Sequence, residues 1–436
     1  MTRTEHTPRH DAPDAPSSDA ALTEPAEPQA GEVVVKPVLL DTPRDGVPEV
    51  ITTVPGLKRA ARAIAAGTGP VSVDAERASG FRYGQRAFLV QLRREGSGSW
   101  LIDPEPFENL DEIQEAIGDE TWILHAASQD LPCLAELGMA PARLFDTELA
   151  ARIAGLPRVG LGPAVESLLG LKLAKEHSAA DWSTRPLPEP WLRYAALDVE
   201  VLDELRVELI KILEADGKLE FAEQEFEAVR TAPPAPPRVD PWRRTSGLHQ
   251  IRERRTLAAV KELWEAREAL AKSRDVAPGR LIPDSALVAA AKAMPTSVPA
   301  LLKTPGFHGR SAAKDAPRWL RALQDGRNTK DLPPNQVPTN APPPPRIWAD
   351  KDPVAAARLQ TAKSRITRTA ETWNIPLENL LTPDYLRRLC WKPPAVIDPD
   401  TVTEALRELG ARQWQIDLVA PVITVALLDP DKLASR

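Results

Sequence analysis

Two proline-rich stretches cut this chain into blocks that no helix or sheet strand can bridge. Proline has no amide hydrogen and a fixed φ, so a run of prolines ends a helix and fits no central strand. Pro233, Pro234, Pro236, Pro237 and Pro241 fall in the first stretch, residues 231–243. Seven more prolines lie between Asp331 and Arg346 in the second, residues 327–350. Both read as stiff linkers. Residues 1–50 hold Pro, Ala, Ser, Thr and acids without apolar periodicity, and read as a disordered acidic tail. Three blocks remain, residues 51–230, 244–326 and 351–436. That is the two or three domains a chain of 436 residues suggests.

Charge separates the same blocks. Residues 1–50 carry ten acids against four bases, and residues 51–230 thirty acids against nineteen bases. Residues 240–325 reverse the sign, with sixteen bases against nine acids. A basic helical block beside an acidic one fits a polyanion gripped by the first and cations held by the second. A solvated charged face is the competing reading of the charge count alone. Cys133 and Cys390 are the only cysteines and form no ligand spacing, which excludes a disulfide framework and a zinc site. No run of about 18 uncharged apolar residues occurs, so the expectation is a soluble, cytoplasmic protein without membrane contact.

Residues 51–230 alternate strand-like and helix-like segments, the pattern of an α/β domain with a mixed sheet. Strands are expected at Val71–Glu76, Ala87–Leu92, Trp100–Ile102 and Trp122–His125. Helices are expected at Leu57–Ala66, Leu110–Ile117, Asp130–Leu137, Asp146–Ala154 and Pro163–Leu169, with a long one over Glu189–Leu213. The two later blocks read as all-helical.

Five residues of the α/β block stand where structure alone rarely places them. Asp74 and Glu76 have the period-2 spacing of a strand and so share one sheet face. Asp130 follows the fourth strand at the mouth of a helix. Tyr194 and Asp198 are i and i+4 on one helix face. Buried carboxylates are costly unless a cation keeps them ionised. Carboxylate oxygens select hard cations, Mg²⁺ or Mn²⁺. Two such ions ~3.5–4 Å apart bracket a phosphodiester, one lowering the pKa of the attacking water and one stabilising the leaving oxygen. The Tyr194 phenol, a poor base at neutral pH, is read as orienting that water. Asp146 in Asp146-Thr147-Glu148 reads as a helix N-cap.

With those residues in place the block resembles the ribonuclease D family of 3′→5′ exoribonucleases, within the DEDD or DnaQ-like superfamily. The motifs are Val73-Asp74-Ala75-Glu76 with the strand Phe88–Leu92, Leu124-His125-Ala126-Ala127-Ser128-Gln129-Asp130, Phe145-Asp146-Thr147-Glu148, Asp181-Trp182-Ser183-Thr184-Arg185-Pro186-Leu187, and Arg193-Tyr194-Ala195-Ala196-Leu197-Asp198. The resemblance covers about residues 55–215. It implies an RNase H-like fold with a mixed five-stranded sheet, Asp74, Glu76, Asp130 and Asp198 as metal ligands, and Tyr194 as the water-orienting group. The superfamily's other branch has histidine where Arg193 stands, so the tyrosine branch applies. His125 is then a residue packed beside the site, in reach of substrate, not the general base. Trp182 and Arg185 are candidates to line the substrate channel, with core packing the alternative for Trp182.

Two positions depart from the family. Ala75 replaces a usual threonine, and Arg77 replaces the apolar residue that wedges against the terminal base. Arg77 is instead read as stacking on the base or pairing with phosphate. Residues 244–326 resemble an HRDC domain, and residues 351–436 the more divergent second, HRDC-like module of ribonuclease D. The resemblance implies release of 5′-mononucleotides from RNA with a free 3′ end, tRNA precursors above all, by a chain expected to be monomeric. Two other readings stay open: an exonuclease on single-stranded DNA, because nothing identifies a 2′-hydroxyl reader, and a non-catalytic RNA-binding protein on a vestigial nuclease fold.

Overall fold

The computed structural model describes residues 36–431 except Lys175, Glu176, Ser178, Gly309 and Pro338. In the first block the strands are β1 (Val38–Leu40), β2 (Val50–Ile51), β3 (Thr68–Arg77), β4 (Ala87–Glu95), β5 (Gly98–Ile102), β6 (Thr121–Leu124), β7 (Arg143–Asp146) and β8 (Leu171–Leu173). The helices among and after them are α1 (Val54–Ala65), α2 (Asp111–Ile117), α3 (Leu131–Ala135), α4 (Thr147–Ala154), α5 (Leu161–Leu169), α6 (Glu189–Glu200), α7 (Leu202–Ala215) and α8 (Leu219–Arg230).

The main sheet has the order β2-β5-β4-β3-β6-β7. β3 and β4, and β4 and β5, pair antiparallel, while β2–β5, β3–β6 and β6–β7 pair parallel. Helices cover both faces of its centre, which is why Ala87–Leu92 is a continuous apolar run broken only by Gln91. One face packs Val73, Val90 and Leu92 into the larger core, and the other packs Leu89 and Leu101 against Ala195 and Ala196 of α6.

The expected mixed sheet is present, with a sixth strand added. Val50–Ile51 pairs with β5 at the edge and is too short to leave a periodic signal. β7 also escapes the sequence pattern, because Arg143–Asp146 has only two apolar residues between charged ends. The single helix expected over Glu189–Leu213 is two, broken at Val201. The break lets α6 cross β3, β4 and β5 while α7 packs on α4 and α5. Structure also begins earlier than expected. Val38–Leu40 pairs in parallel with Leu171–Leu173, and the Arg44 amide donates to the Glu200 carboxylate at 3.1 Å. The rest of the expected tail, residues 1–35, lies outside the described residues.

The second block contains α9 (Arg254–Arg274), α10 (Pro278–Leu281), α11 (Asp284–Ala293), α12 (Val298–Leu302) and α13 (Arg310–Asn328). Its core gathers Trp242, Leu263, Leu287, Phe307 and Trp319. α13 lies close on α9 because residue 326 is glycine: a Cβ there would come within 2.5 Å of the Ala259 Cα. Arg254 and Arg255 donate to the carbonyls of Pro333 and Thr329, which straps the start of the second linker to this block. The third block holds α14 (Trp348–Lys351), α15 (Pro353–Trp373), α16 (Leu377–Leu380), α17 (Pro383–Trp391), α18 (Pro399–Glu408) and α19 (Gln413–Leu428).

Both helical blocks attach to the α/β block. Phe221 of α8 stacks on Trp414 at 4.9 Å between ring centroids, and Glu225 accepts from Trp414 Nε1 at 3.0 Å and Arg412 Nη2 at 2.7 Å. The second block docks on the segment after β3. Asp275 pairs with Arg86 at 2.9 Å, Ala277 donates its amide to the Phe81 carbonyl, and the Arg280 guanidinium lies 4.0 Å over the Phe81 ring.

Candidate functional site

β3 delivers the first two acids. Asp74 and Glu76 project to the same face, opposite Gln91 and Leu89 of β4, at the side covered by α6. α6 delivers Tyr194 and Asp198 one turn apart, and the tyrosine hydroxyl donates to the Asp198 carboxylate. Carboxylate oxygens of Asp74, Glu76 and Asp198 all lie within 4.8 Å of one another. The fourth acid comes from the loop after β6. Asp130 occupies the N-cap position of α3 without capping it; its Oδ1 instead meets Arg77 Nη2 at 3.2 Å. Arg77 Nη1 donates to the Gln129 carbonyl at 2.7 Å.

That loop has its own anchor. Asp146 ends β7 and caps α4 as expected, accepting from the amides of Glu148 and Leu149. The same buried carboxylate also accepts from Ala126 at 3.0 Å and Ala127 at 2.8 Å. Ala126 has φ 62°, a left-handed conformation that a residue with a Cβ seldom adopts. Four amide donors on one carboxylate hold the turn that aims Asp130.

Asp74, Glu76, Arg77, Asp130, Tyr194 and Asp198 line one cleft of about 410 Å³, whose wall also includes His125, Ala126, Gln129, Glu148, Gly160 and Leu161. Burial dominates its electrostatics. It pushes the Asp74 carboxyl up to about 6, against a backbone hydrogen bond from Ala75. It pushes Asp130 up to about 8, aided by the Asp74 charge and opposed by Arg77. Glu76 is held well above the usual range by burial, then by Asp74, Asp198 and Asp130. Burial, then the Asp198 and Glu76 charges, raises the Tyr194 phenol above its ordinary value, so it stays protonated. Burial pushes the His125 imidazole down to about 4, so the ring is neutral, with Nδ1 2.9 Å from Thr147 Oγ1.

Two candidates are not brought to the cleft. Trp182 is fully buried in the core beneath α6, which corrects the channel reading in favour of core. Arg185 is spent as a strut: it pairs with Asp103 at 2.6 Å and donates to the carbonyls of Phe88, Trp182 and Thr184. Together they bind the segment before α6 to the sheet. Sequence reading also missed His177, whose ring stands edge-on to Tyr194 at 5.8 Å, and the Gly160–Leu161 wall. Neither lies in a spacing that marks a site.

Four acids in so small a volume cannot all ionise at neutral pH without compensating charge. Arg77 supplies part of it to Asp130, opposing the effect of burial without cancelling it. The convergence of Asp74, Glu76 and Asp198 is an all-oxygen donor set that suits a hard divalent cation.

Comparison with known proteins agrees with this geometry. Residues 48–214 match the family model described as 3′-5′ exonuclease, residues 256–323 that of the HRDC domain, and residues 341–427 that of the 3′ to 5′ exonuclease C-terminal domain. The third block, read as HRDC-like, thus matches a model of its own. The chain is 33% identical over 270 residues to the ribonuclease D of Gluconacetobacter diazotrophicus, covering 59% of this chain and 68% of that one. It is 30% identical over 360 residues to the ribonuclease D of Escherichia coli, covering 79% and 91%. The crystal structure of Escherichia coli RNase D, titled an exoribonuclease involved in structured RNA processing, superposes with a TM-score of 0.62 at 27% identity, over 87% of this chain and 98% of that one. A crystal structure of a protein from Bifidobacterium adolescentis superposes with a TM-score of 0.82 at 39% identity, over 90% and 100%.

The raised carboxyls fix a pH signature. Folding lifts these groups above their unfolded values near 4, so the ion-free fold binds the extra protons and loses stability as pH rises from about 4 to about 8. A cation must displace the same protons, so its stabilising effect grows over that window. The thermal midpoint measured with and without excess magnesium chloride should therefore shift more at pH 8 than at pH 6. An equal shift at both would contradict the assignment.

Proposed function

Because the chain belongs to the ribonuclease D family and is a 3′→5′ exoribonuclease, we propose that its four cleft acids hold two divalent cations, Mg²⁺ or Mn²⁺, while Tyr194 orients the attacking water. The observation that carries this reading is the meeting of Asp74, Glu76 and Asp198 oxygens within 4.8 Å. When bound, the cations supply charge neutralisation at the phosphodiester and activation of water.

The chain's own residues do the rest. The Tyr194 hydroxyl donates its hydrogen bond to Asp198 and keeps its lone pairs for the water. Its raised phenol makes it a positioner, not a base. Arg77 carries charge at the cleft wall, held on Asp130 and the Gln129 carbonyl. Were Asp130 to ligate a cation, the Arg77 guanidinium would be free to pair with a phosphate of the terminal nucleotides. The neutral His125 ring offers a flat contact to the RNA without competing for phosphate. The basic second block sits beside the segment leaving β3 and extends the grip to the upstream strand.

The substrate we favour is an RNA with a free, unpaired 3′ end, such as a tRNA precursor, shortened one 5′-mononucleotide at a time by a cytoplasmic monomer. Among the described residues no helix is long and apolar enough to cross a membrane. End-labelled RNA and DNA of one sequence, incubated with Mg²⁺ or Mn²⁺, test the reading. Stepwise shortening of RNA that disappears in Asp74→Asn supports it. Preference for DNA, or binding without shortening, overturns it.

Tyr194→Phe should cut kcat by about 10²-fold, within the range expected when a positioning hydrogen bond is removed, while cation affinity stays near that of the unchanged protein. Equal losses in both would contradict the orienting role. Deleting the helical blocks would strip Phe221 of its Trp414 partner, so charge reversal is the cleaner probe of RNA grip. Lys272→Glu with Lys314→Glu, both exposed, should weaken RNA binding and lower its salt slope by about one for each phosphate no longer neutralised. An unchanged slope would assign the block another role.

A further inference from the structure

One polar side chain beneath the cleft has no part in the arrangement above. Gln91 stands on β4 directly opposite Asp74 in the antiparallel ladder and opposite Leu101 of β5. It is fully buried, and among the described residues neither its Oε1 nor its Nε2 has a hydrogen-bond partner. Directly opposed residues of an antiparallel pair project to the same face. The amide therefore lies on the face of Asp74 and Glu76, under the helix that carries Tyr194 and Asp198. Its neighbours on that face, Leu89 and Leu101, are apolar and fully buried.

An amide with both ends unmet in such surroundings destabilises the fold, and a leucine of similar volume would not. A cost of this kind sits at a functional site when another state of the site uses the group. Side chains that ligate cations are commonly steadied by a hydrogen bond from behind, and losing it weakens binding about ten- to hundredfold.

We propose that Gln91 is a positioning residue of the cation-loaded centre, its amide giving Asp74 a hydrogen bond from the β4 side, directly or through one buried water. The inference rests on the cation reading of the cleft. It predicts two effects of opposite sign from one substitution. Gln91→Leu removes an unmet polar group from the ion-free fold, so its thermal midpoint without divalent cations should equal or exceed that of the unchanged protein. The same substitution leaves Asp74 without its support, so Mn²⁺ affinity should fall about ten- to hundredfold.

The experiment is a Mn²⁺ titration of the full chain followed by electron paramagnetic resonance, beside thermal melts in chelator. Gln91→Met, unbranched like glutamine, serves as a second variant in case leucine fits poorly, and Asp74→Asn is the control. Weakened Mn²⁺ binding in a Gln91 variant with an undiminished melt supports the role. Unchanged Mn²⁺ affinity in a well-folded Gln91 variant, with binding lost in Asp74→Asn, overturns this inference and leaves the cation centre standing. Unchanged affinity in Asp74→Asn overturns the cation centre itself.

Discussion

Desolvated negative charge governs this molecule. Asp74, Glu76, Asp130 and Asp198 come from a strand, a loop and a helix, yet they share one cleft where burial raises three of their carboxyls. Left to itself such a cluster opposes folding, because each ionised group raises the cost of the next. The surrounding structure makes sense as the frame that holds the acids together despite that repulsion, ready for a cation to offset it.

The frame is stiff where aim matters. Asp146 binds four amides and keeps Ala126 in its left-handed turn, which fixes the path to Asp130. Arg185 ties the segment before α6 to Asp103 and to the Phe88 carbonyl, which fixes how the helix bearing Tyr194 and Asp198 crosses the sheet. Asp275 and Arg280 clamp the basic helical block on residues 80–86, the chain leaving the strand of Asp74 and Glu76. The cleft and the basic helical block are thereby mounted on one strand's end, so that under the proposed function binding energy gained on the block would help seat the 3′ end in the cleft.

Much of this was legible in the sequence where local physics decides. The spacing of Asp74 and Glu76 allows one sheet face only, and Tyr194 with Asp198 one helix face only. The Asp146 cap follows from its place before Thr147 and Glu148. What escaped depends on distant partners. Val50–Ile51 is a strand because β5 offers it an edge, and Val38–Leu40 because β8 does. Arg185 is a channel candidate by its place in a family motif, but Asp103, 82 positions away, claims it. Trp182 is core because α6 covers it. Gln91 could not be flagged at all, since its isolation is visible only once every neighbour is in place.

The most direct measurement is anomalous diffraction from crystals soaked in manganese chloride. The account predicts two Mn²⁺ peaks in the cleft, ligated by carboxylate oxygens of Asp74, Glu76, Asp130 and Asp198, with the Arg77 guanidinium displaced from Asp130. A cleft without such peaks while manganese binds elsewhere, or with Asp130 still on Arg77 beside them, would contradict it.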